Sequence, residues 1–413
     1  MALQDVVVMD VGGGSVKMGS ARQPDTPKVF PNASAKLKGE RQTFVGEAML
    51  GMKDVLALSL RRPVDRGYVV DWSLQREILA RALKGLLGGL SASACGLVLT
   101  EPYLNLSALR EAAVRMALDE LGFASIYMAP PAALALRWHA QQLPGLPANA
   151  AGCGLVVDAG FSFTHAVPVF DWRVLPAAIR RVDLGGKALT NFMKELVSYR
   201  SVNMMDETYL LEHIKEQLCF VSQDTAADLR AARGRASPFR REYVLPDGLT
   251  DTWGHVRTEE EAAAAAAAAR QQQRQGGPQL PKQPVLQVNN ERFMVPEAIF
   301  HPSDIGMEEA GLAEAIAAAV QAAHPHLHGL LWSNVLLTGG TSRCPGFRER
   351  LYAELRPLVP DDYELGIHLA DDPVLCAWRG AALLAASPSY PRLAVTQKEW
   401  RSRGTAALAK WEQ

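Results

Sequence analysis

Val6-Val7-Val8-Met9-Asp10-Val11-Gly12-Gly13-Gly14-Ser15-Val16-Lys17 is the stretch that decides the fold. An apolar run, an acid, a cluster of glycines and a return to apolar residues read as a buried strand, a tight turn and a second strand. The pattern returns about 150 residues later as Gly154-Leu155-Val156-Val157-Asp158-Ala159-Gly160-Phe161-Ser162-Phe163-Thr164-His165. Taken singly, an apolar run ending in Asp-x-Gly is a common structural pattern. Found twice, it implies a duplicated α/β domain, with a period far too long for a solenoid. Length agrees: 413 residues exceed what one hydrophobic core usually holds, so at least two domains are expected.

The glycines carry chemistry as well as shape. In doubly wound α/β folds, ligands sit at the carboxyl ends of the strands. Gly12, Gly13, Gly14 and Gly160 let backbone N–H groups approach phosphate oxygens, and Lys17 adds a positive charge. A third strand-like run, 332–338, leads into Gly339-Gly340-Thr341. The duplicate and this third loop together argue against an accidental match and point to a phosphate-binding site. Asp10 and Asp158 are the candidate metal residues, holding a hydrated Mg²⁺ through water if nucleotide is bound.

Between these loops, periodicity predicts helices over 106–121 (with Ser107 as N-cap), 186–199 and 206–223. Another starts at Phe347, after a Cys344-Pro345-Gly346 turn. Residues 225–287 differ. They hold Arg230, Arg233, Arg235, Arg240 and Arg241, an acidic triplet at 259–261, eight alanines, and Gln/Arg and Pro/Gly runs. This reads as a solvated, mobile low-complexity insertion whose alanine run can be helical. Its arginines read as a solvated loop, or as a contact for DNA phosphates or an acidic partner. His324, His326 and His328 read as an exposed turn rather than a metal site, because no further ligands are evident. Trp332, Trp378 and Trp400 read as packing residues, with a partner anchor as the other reading of Trp400.

Apolar residues make up 48% and charged residues 21%, the balance of a soluble globular protein. A net charge of −1 excludes a polyanion-seeking field over the whole molecule, so nucleic-acid contact would need a local patch. Cys95, Cys153, Cys219, Cys344 and Cys376 are scattered and form no C-x-x-C pair. That argues against a disulfide framework or zinc site and for a reducing compartment. No signal peptide is visible, and the first apolar run, flanked by Asp5 and Asp10, is too short to span a bilayer. No membrane partner is expected.

At this point the chain resembles the actin superfamily, through nearly its whole length and with the matching segments in order. Leu99-Thr100-Glu101-Pro102-Tyr103-Leu104-Asn105 is similar to the segment before the helix of actin's first subdomain. Gly67-Tyr68-Val69-Val70-Asp71-Trp72 resembles the return from the second subdomain, and Asp183-Leu184-Gly185-Gly186-Lys187-Ala188-Leu189-Thr190 the lead-in to the fourth. Lys215-Glu216 falls where actin-like proteins contact adenosine. Asn290-Glu291-Arg292-Phe293, Pro296-Glu297, Pro302-Ser303 and Gly306 match the block after the fourth subdomain, and 335–347 matches the adenine-side loop. Three strings narrow the resemblance to the nuclear actin-related protein 6 class. They are the loop 158–165, the series Ser198-Tyr199-Arg200, Met205-Asp206-Glu207-Thr208 and Val221-Ser222-Gln223-Asp224, and Pro302-Ser303-Asp304-Ile305-Gly306.

The resemblance implies the actin/hexokinase/heat-shock ATPase-like α/β fold, two duplicated domains forming four subdomains around a nucleotide cleft. Subdomain 1 would comprise 1–31, 67–148 and 375–413, and a shortened subdomain 2 would comprise 32–66. Subdomain 3 would comprise 149–184 and 308–374, and subdomain 4 would comprise 185–307, with the insertion at about 225–287. The implied cofactor is ATP or ADP with Mg²⁺, in a structural role; a cleft without nucleotide is the other reading. The implied binding residues are Asp10, Gly12, Gly13, Gly14, Lys17, Asp158, Gly160, Gly186, Lys215, Glu216, Gly339, Gly340 and Thr341.

Several positions depart from actin. Gly13 aligns with the serine offered to the terminal phosphate, and Ser15 is out of register. Phe161 and Ser162 stand where the second loop normally has Asp and Gly. Pro131 aligns with the glutamine that positions the attacking water, and proline has neither a polar side chain nor an N–H. Hydrolysis needs an oriented water, and losing a positioning group costs roughly 10²- to 10⁴-fold in rate. No useful ATPase activity is therefore expected, and no catalytic residue is assigned. His165 keeps the place of a histidine near that water, or is simply satisfied by neighbouring backbone.

The short segment 32–66, where Val45-Gly46-Glu47 is a remnant of the sequence after actin's partner-gripping loop, argues against filaments, as does the insertion. The class resemblance implies a non-catalytic subunit of a SWR-type chromatin remodelling complex that exchanges a variant H2A-type histone and affects transcription, located in the nucleus, with the cytoplasm as an additional location. Its implied partners are a motor ATPase and a small zinc-finger subunit, with histones and the nucleosome met indirectly. Two alternatives share the fold. An ATPase or phosphotransferase is opposed by Gly13, Phe161 and Pro131. A cytoskeletal actin-like protein is opposed by the shortened second subdomain.

Overall fold

A computed structural model describes residues 3–143, 152–234, 236–248, 251–265, 267 and 284–411. The strand Asp5–Val11 pairs antiparallel with Ser15–Ser20 across the glycine turn and parallel with Cys95–Thr100 on its other side. Lys28–Pro31, Ser125–Ala129 and Val395–Thr396 extend this sheet to six strands. The strand Gly154–Ala159 does the same in a second sheet: antiparallel with Thr164–Phe170, parallel with Val335–Thr338, and extended by Ile367–Leu369. The duplication expected from the two Asp loops is thus a repeated sheet path.

Both sheets are covered on both faces, which is why their central strands are apolar runs rather than alternating ones. Val7 and Met9 enter one core and Val8 the opposite one. Leu155 and Val157 likewise separate from Val156. Helices Pro131–Gln142 and Cys376–Ala386 lie between the sheets. Leu134, Trp378 and Ala381 pack with Val8 and Val98 of the first sheet, while Ala132, Ala135, Leu136 and Cys376 pack with Val156 and Leu336 of the second. Trp378 Nε1 donates to the Val8 carbonyl at 3.1 Å.

A three-stranded sheet, Ser34–Leu37, Thr43–Val45 and Leu58–Arg61, stands over one side of the cleft. It closes onto the opposite half. Val55 and Leu58 share a hydrophobic cluster with Leu210 and Leu211 of helix Thr208–Leu218. Lys38 Nζ meets Asp206 at 2.6 Å, and the Ala57 amide donates to Glu207 at 2.8 Å.

Helices Gly186–Arg200 and Phe347–Leu355 lie where periodicity placed them. Elsewhere the structure differs. Ser107 is not the N-cap but the first residue of helix Ser107–Arg115, with Leu106 before it; a wider turn, Met116–Glu120, continues it. The helix expected over 206–223 is confined to Thr208–Leu218. The strand expected over 332–338 covers only Val335–Thr338, because Trp332 ends up buried in helix His328–Ser333. Trp400 is buried, with Nε1 donating to Asp119 at 3.0 Å, so it is a packing residue and not a surface anchor. His324 accepts from the His326 amide and opens the short turn Pro325–Leu327.

The stretch 225–287 is not simply solvated. Thr225–Ala232 is helical, and Arg241–Val244 pairs with His255–Val256 and Val285–Val288. Tyr243, Val244, Leu286 and Val288 are buried there. The biased composition between these strands hid their short apolar alternation. Residues 259–265 are helical and exposed. Arg235 and residues 268–283, including most of the Gln/Arg and Pro/Gly runs, lie outside the described residues. Among the described residues no helix is long and apolar enough to cross a membrane.

Candidate functional site

The two Asp loops face each other across a cleft of about 730 Å³, within the range of roughly 300–1,000 Å³ typical of small-molecule sites. Every binding residue expected from the sequence lines it: Asp10, the glycines 12 to 14, Lys17, Asp158, Gly160, Gly186, Lys215, Glu216, Gly339, Gly340 and Thr341. The loops are built alike. The Gly12 amide donates to the Ser15 carbonyl and the Gly160 amide to the Phe163 carbonyl, both at 3.0 Å. Gly339, at φ 86°, lets the third loop press against the backbone of Ala159, where any Cβ would overlap. Thr341 Oγ1 then donates to the Gly160 carbonyl at 3.0 Å.

The repeat is geometric but not electrostatic. Strand register sets Lys17 opposite Asp10 and His165 opposite Asp158. Lys17 Nζ lies 3.2 Å from Asp10, which also accepts from Thr100 Oγ1 at 2.9 Å. In the second half the equivalent histidine is neutral: burial, aided by the nearby Arg181 charge, lowers its pKa to about 4. Its ring sits 4.8 Å from that of Tyr103 and edge-on to Phe163. Asp158 therefore takes its hydrogen bond from the Tyr103 hydroxyl, at 3.0 Å. Burial still raises the Asp158 pKa, outweighing that bond.

A family model described as Actin matches residues 2–411. The chain belongs to the actin family. Among curated relatives, "Actin-related protein 6" of Oryza sativa subsp. indica is 44% identical over 97% of this chain and 96% of the rice protein. "Actin-related protein 6" of Arabidopsis thaliana is 40% identical over 98% of each chain, and that of Drosophila melanogaster 36% over 97% of each. Similarity of this extent to relatives so named bears out the class resemblance read from the loop 158–165 and its companion strings.

Actin-family membership raises the question of whether ATP with Mg²⁺ fits these residues. Around Phe161 and Ser162 it does not. A Cβ on Gly13 would lie 2.6 Å from Ser162 Oγ, and one on Gly14 would lie 2.9 Å from the Phe161 ring. The two loops are in direct contact. A phosphoryl group held by both would need about 2.9 Å of hydrogen-bond distance on each side besides its own width. The N-terminal amides of helix Gly186–Arg200 are also engaged: Gly186 donates to the Gly160 carbonyl at 3.0 Å and Lys187 to the Phe161 carbonyl at 2.8 Å. They do not offer the usual anion site of a helix start. Away from this contact, Lys215, Glu216, Thr341, Arg343 and Cys344 line the remainder of the cleft. Lys215 Nζ is spent on the Gly186 carbonyl at 3.0 Å, and burial raises the Glu216 pKa.

Pro131 occupies the first position of helix Pro131–Gln142 at the cleft wall, a place where a missing N–H costs no helical bond. Sequence reasoning missed Arg62, Glu212, Asn32, Gln75 and Tyr103. Tyr103 lay inside a quoted segment, so its place beside an Asp loop was discoverable. The others act through partners distant along the chain.

Proposed function

We propose that this chain is a non-catalytic, architectural subunit of a SWR-type chromatin remodelling complex, acting in the nucleus during exchange of a variant H2A-type histone and so affecting transcription. In this reading a motor ATPase and a small zinc-finger subunit bind it directly, and it meets histones and the nucleosome through them. The observation that carries the non-catalytic part is the direct contact of Phe161 and Ser162 with Gly13 and Gly14, on a cleft wall where Pro131 offers no donor or acceptor side chain. An adenine nucleotide, if held, serves structure and not turnover. The similarity to proteins named actin-related protein 6 supports the assembly. The Lys38–Asp206 and Ala57–Glu207 contacts tie the short three-stranded sheet to its own chain and support a protein that does not form filaments. Affinity purification from nuclear extract, with co-purifying proteins identified by mass spectrometry, tests the reading. A Swi/Snf-type motor, a small zinc-finger protein and H2A-type histones are expected; recovery of cytoskeletal proteins alone would overturn it.

A further inference from the structure

We propose that Arg62 and Phe161 take over the bridging work of a bound nucleotide, closing the cleft with protein atoms and barring nucleoside triphosphates from it. Arg62 Nη1 donates to the Gly14 carbonyl at 3.0 Å, with the Gly13 carbonyl 3.5 Å away. The guanidinium lies 4.5 Å over the Phe161 ring. Its Nη2 pairs with Glu212 at 2.9 Å, and the two side chains are only 13% and 19% exposed. One side chain thus touches the first glycine loop, the second loop and helix Thr208–Leu218 across the cleft.

Two physical consequences follow. Arg62 is neutralised by Glu212 and its stacking face is covered by a ring, so it is not a free cation waiting for an anion. A triphosphate would have to expel the Phe161 ring and strip Arg62 from Gly14 before its own contacts formed. The same contacts join both halves of the molecule, a task a bridging ligand performs through its differential affinity for the closed form. Here it is done within the chain. The inference shares the Phe161 contact with the non-catalytic part of the proposed function, but not the remodelling assignment, which the purification tests separately.

The test uses the full chain with whatever subunits co-purify. Isothermal titration with a non-hydrolysable ATP analogue and Mg²⁺ compares the parent protein with Phe161→Ala and Arg62→Ala. Phe161→Ala is expected to bind the analogue at least about tenfold more tightly than the parent, a factor corresponding to about 1.4 kcal/mol; Arg62→Ala shifts the same way. Equal or tighter binding by the parent overturns the proposal. Hydrogen exchange on the ligand-free parent decides independently, even if a variant fails to fold. Slow exchange in peptides carrying the Gly12, Gly186 and Lys187 amides is expected, whereas rapid exchange that slows only on adding the analogue overturns the latch.

Discussion

Asn32 and Gln75 exchange two amide hydrogen bonds, 3.0 and 3.1 Å long, behind the first glycine loop. Asn32 Nδ2 also donates to the Gly12 carbonyl at 2.9 Å, and its backbone amide donates to the Gly14 carbonyl at 3.0 Å. Neither side chain is more than 1% exposed. The loop is therefore held from its dry side by a fully paired network. Asn32→Leu and Gln75→Leu each leave a buried amide without its partner and are expected to cost about 1–3 kcal/mol. The double variant, which removes both partners, should cost clearly less than the sum. Urea unfolding of the four proteins measures this. Strict additivity would mean the two amides do not depend on each other.

Arg350 makes a second buried network, joining two sides of the second half. It forks onto Glu297 at 2.7 and 3.1 Å, reaches the Ser222 carbonyl at 2.6 Å, and also pairs with Glu354. Glu297 is 2% exposed and further accepts from Thr225 Oγ1 at 2.7 Å. Removing Arg350 leaves the buried Glu297 carboxylate with only Thr225 and the half-exposed His301 beside it. Arg350→Met is expected to destabilise the fold by about 3–5 kcal/mol. A loss below about 1 kcal/mol, the range of surface pairs, would show that this network is solvated in solution.

Particular residues show what was legible in the sequence. Asp10 and Asp158 announced their loops because strand, acid and glycine are adjacent in sequence and the pattern repeats. Gly339 to Thr341 followed from the same local rule. Arg62 could not be found that way, because its partners Gly14 and Glu212 lie 48 and 150 positions away. Phe161 was read correctly as bulk in the wrong place, but no local rule told what it would touch. The strands Arg241–Val244 and Val285–Val288 were obscured by charged and low-complexity neighbours, and only their pairing makes Tyr243 and Leu286 a core.

Acid should weaken the fold through histidines kept neutral inside it. Burial holds the His139 and His165 pKa values at about 4, below the ordinary 6.5; His213 and His368 are lowered by burial as well. Between these values the unfolded chain takes up protons that the folded chain refuses. For His139 and His165 the contribution is therefore fully present above about pH 6.5 and is lost as pH falls toward 4, with a slope of about 1.4 kcal/mol per pH unit for each; His213 and His368 add in the same direction. Asp158, whose pKa burial raises, works in the opposite direction and offsets part of the loss. Urea midpoints at several pH values measure the slope. The His139→Gln, His165→Gln double variant is expected to flatten it; an unchanged slope would assign the acid sensitivity to other groups.

The crossing of helices Pro131–Gln142 and Cys376–Ala386 should be the least forgiving contact between the two halves. Gly380 sits where they meet, and a Cβ there would overlap the backbone carbonyl of Leu134. A flexible side chain could swing aside, but a carbonyl in a helix can move only if the helix moves. That helix also carries Leu134 into the first sheet's core and Leu136 into the second's, so any shift disturbs both. Overpacking of this kind costs about 1–3 kcal/mol, and Gly380→Ala is expected at the upper end or beyond, although alanine is the better helix former by about 1 kcal/mol. The comparison is Gly51→Ala, where an added Cβ meets nothing within 4 Å and the change should stay within about 0.5 kcal/mol. Denaturant midpoints of the two variants decide the matter. A Gly380→Ala protein as stable as its parent would mean that the helices are farther apart than the structure places them.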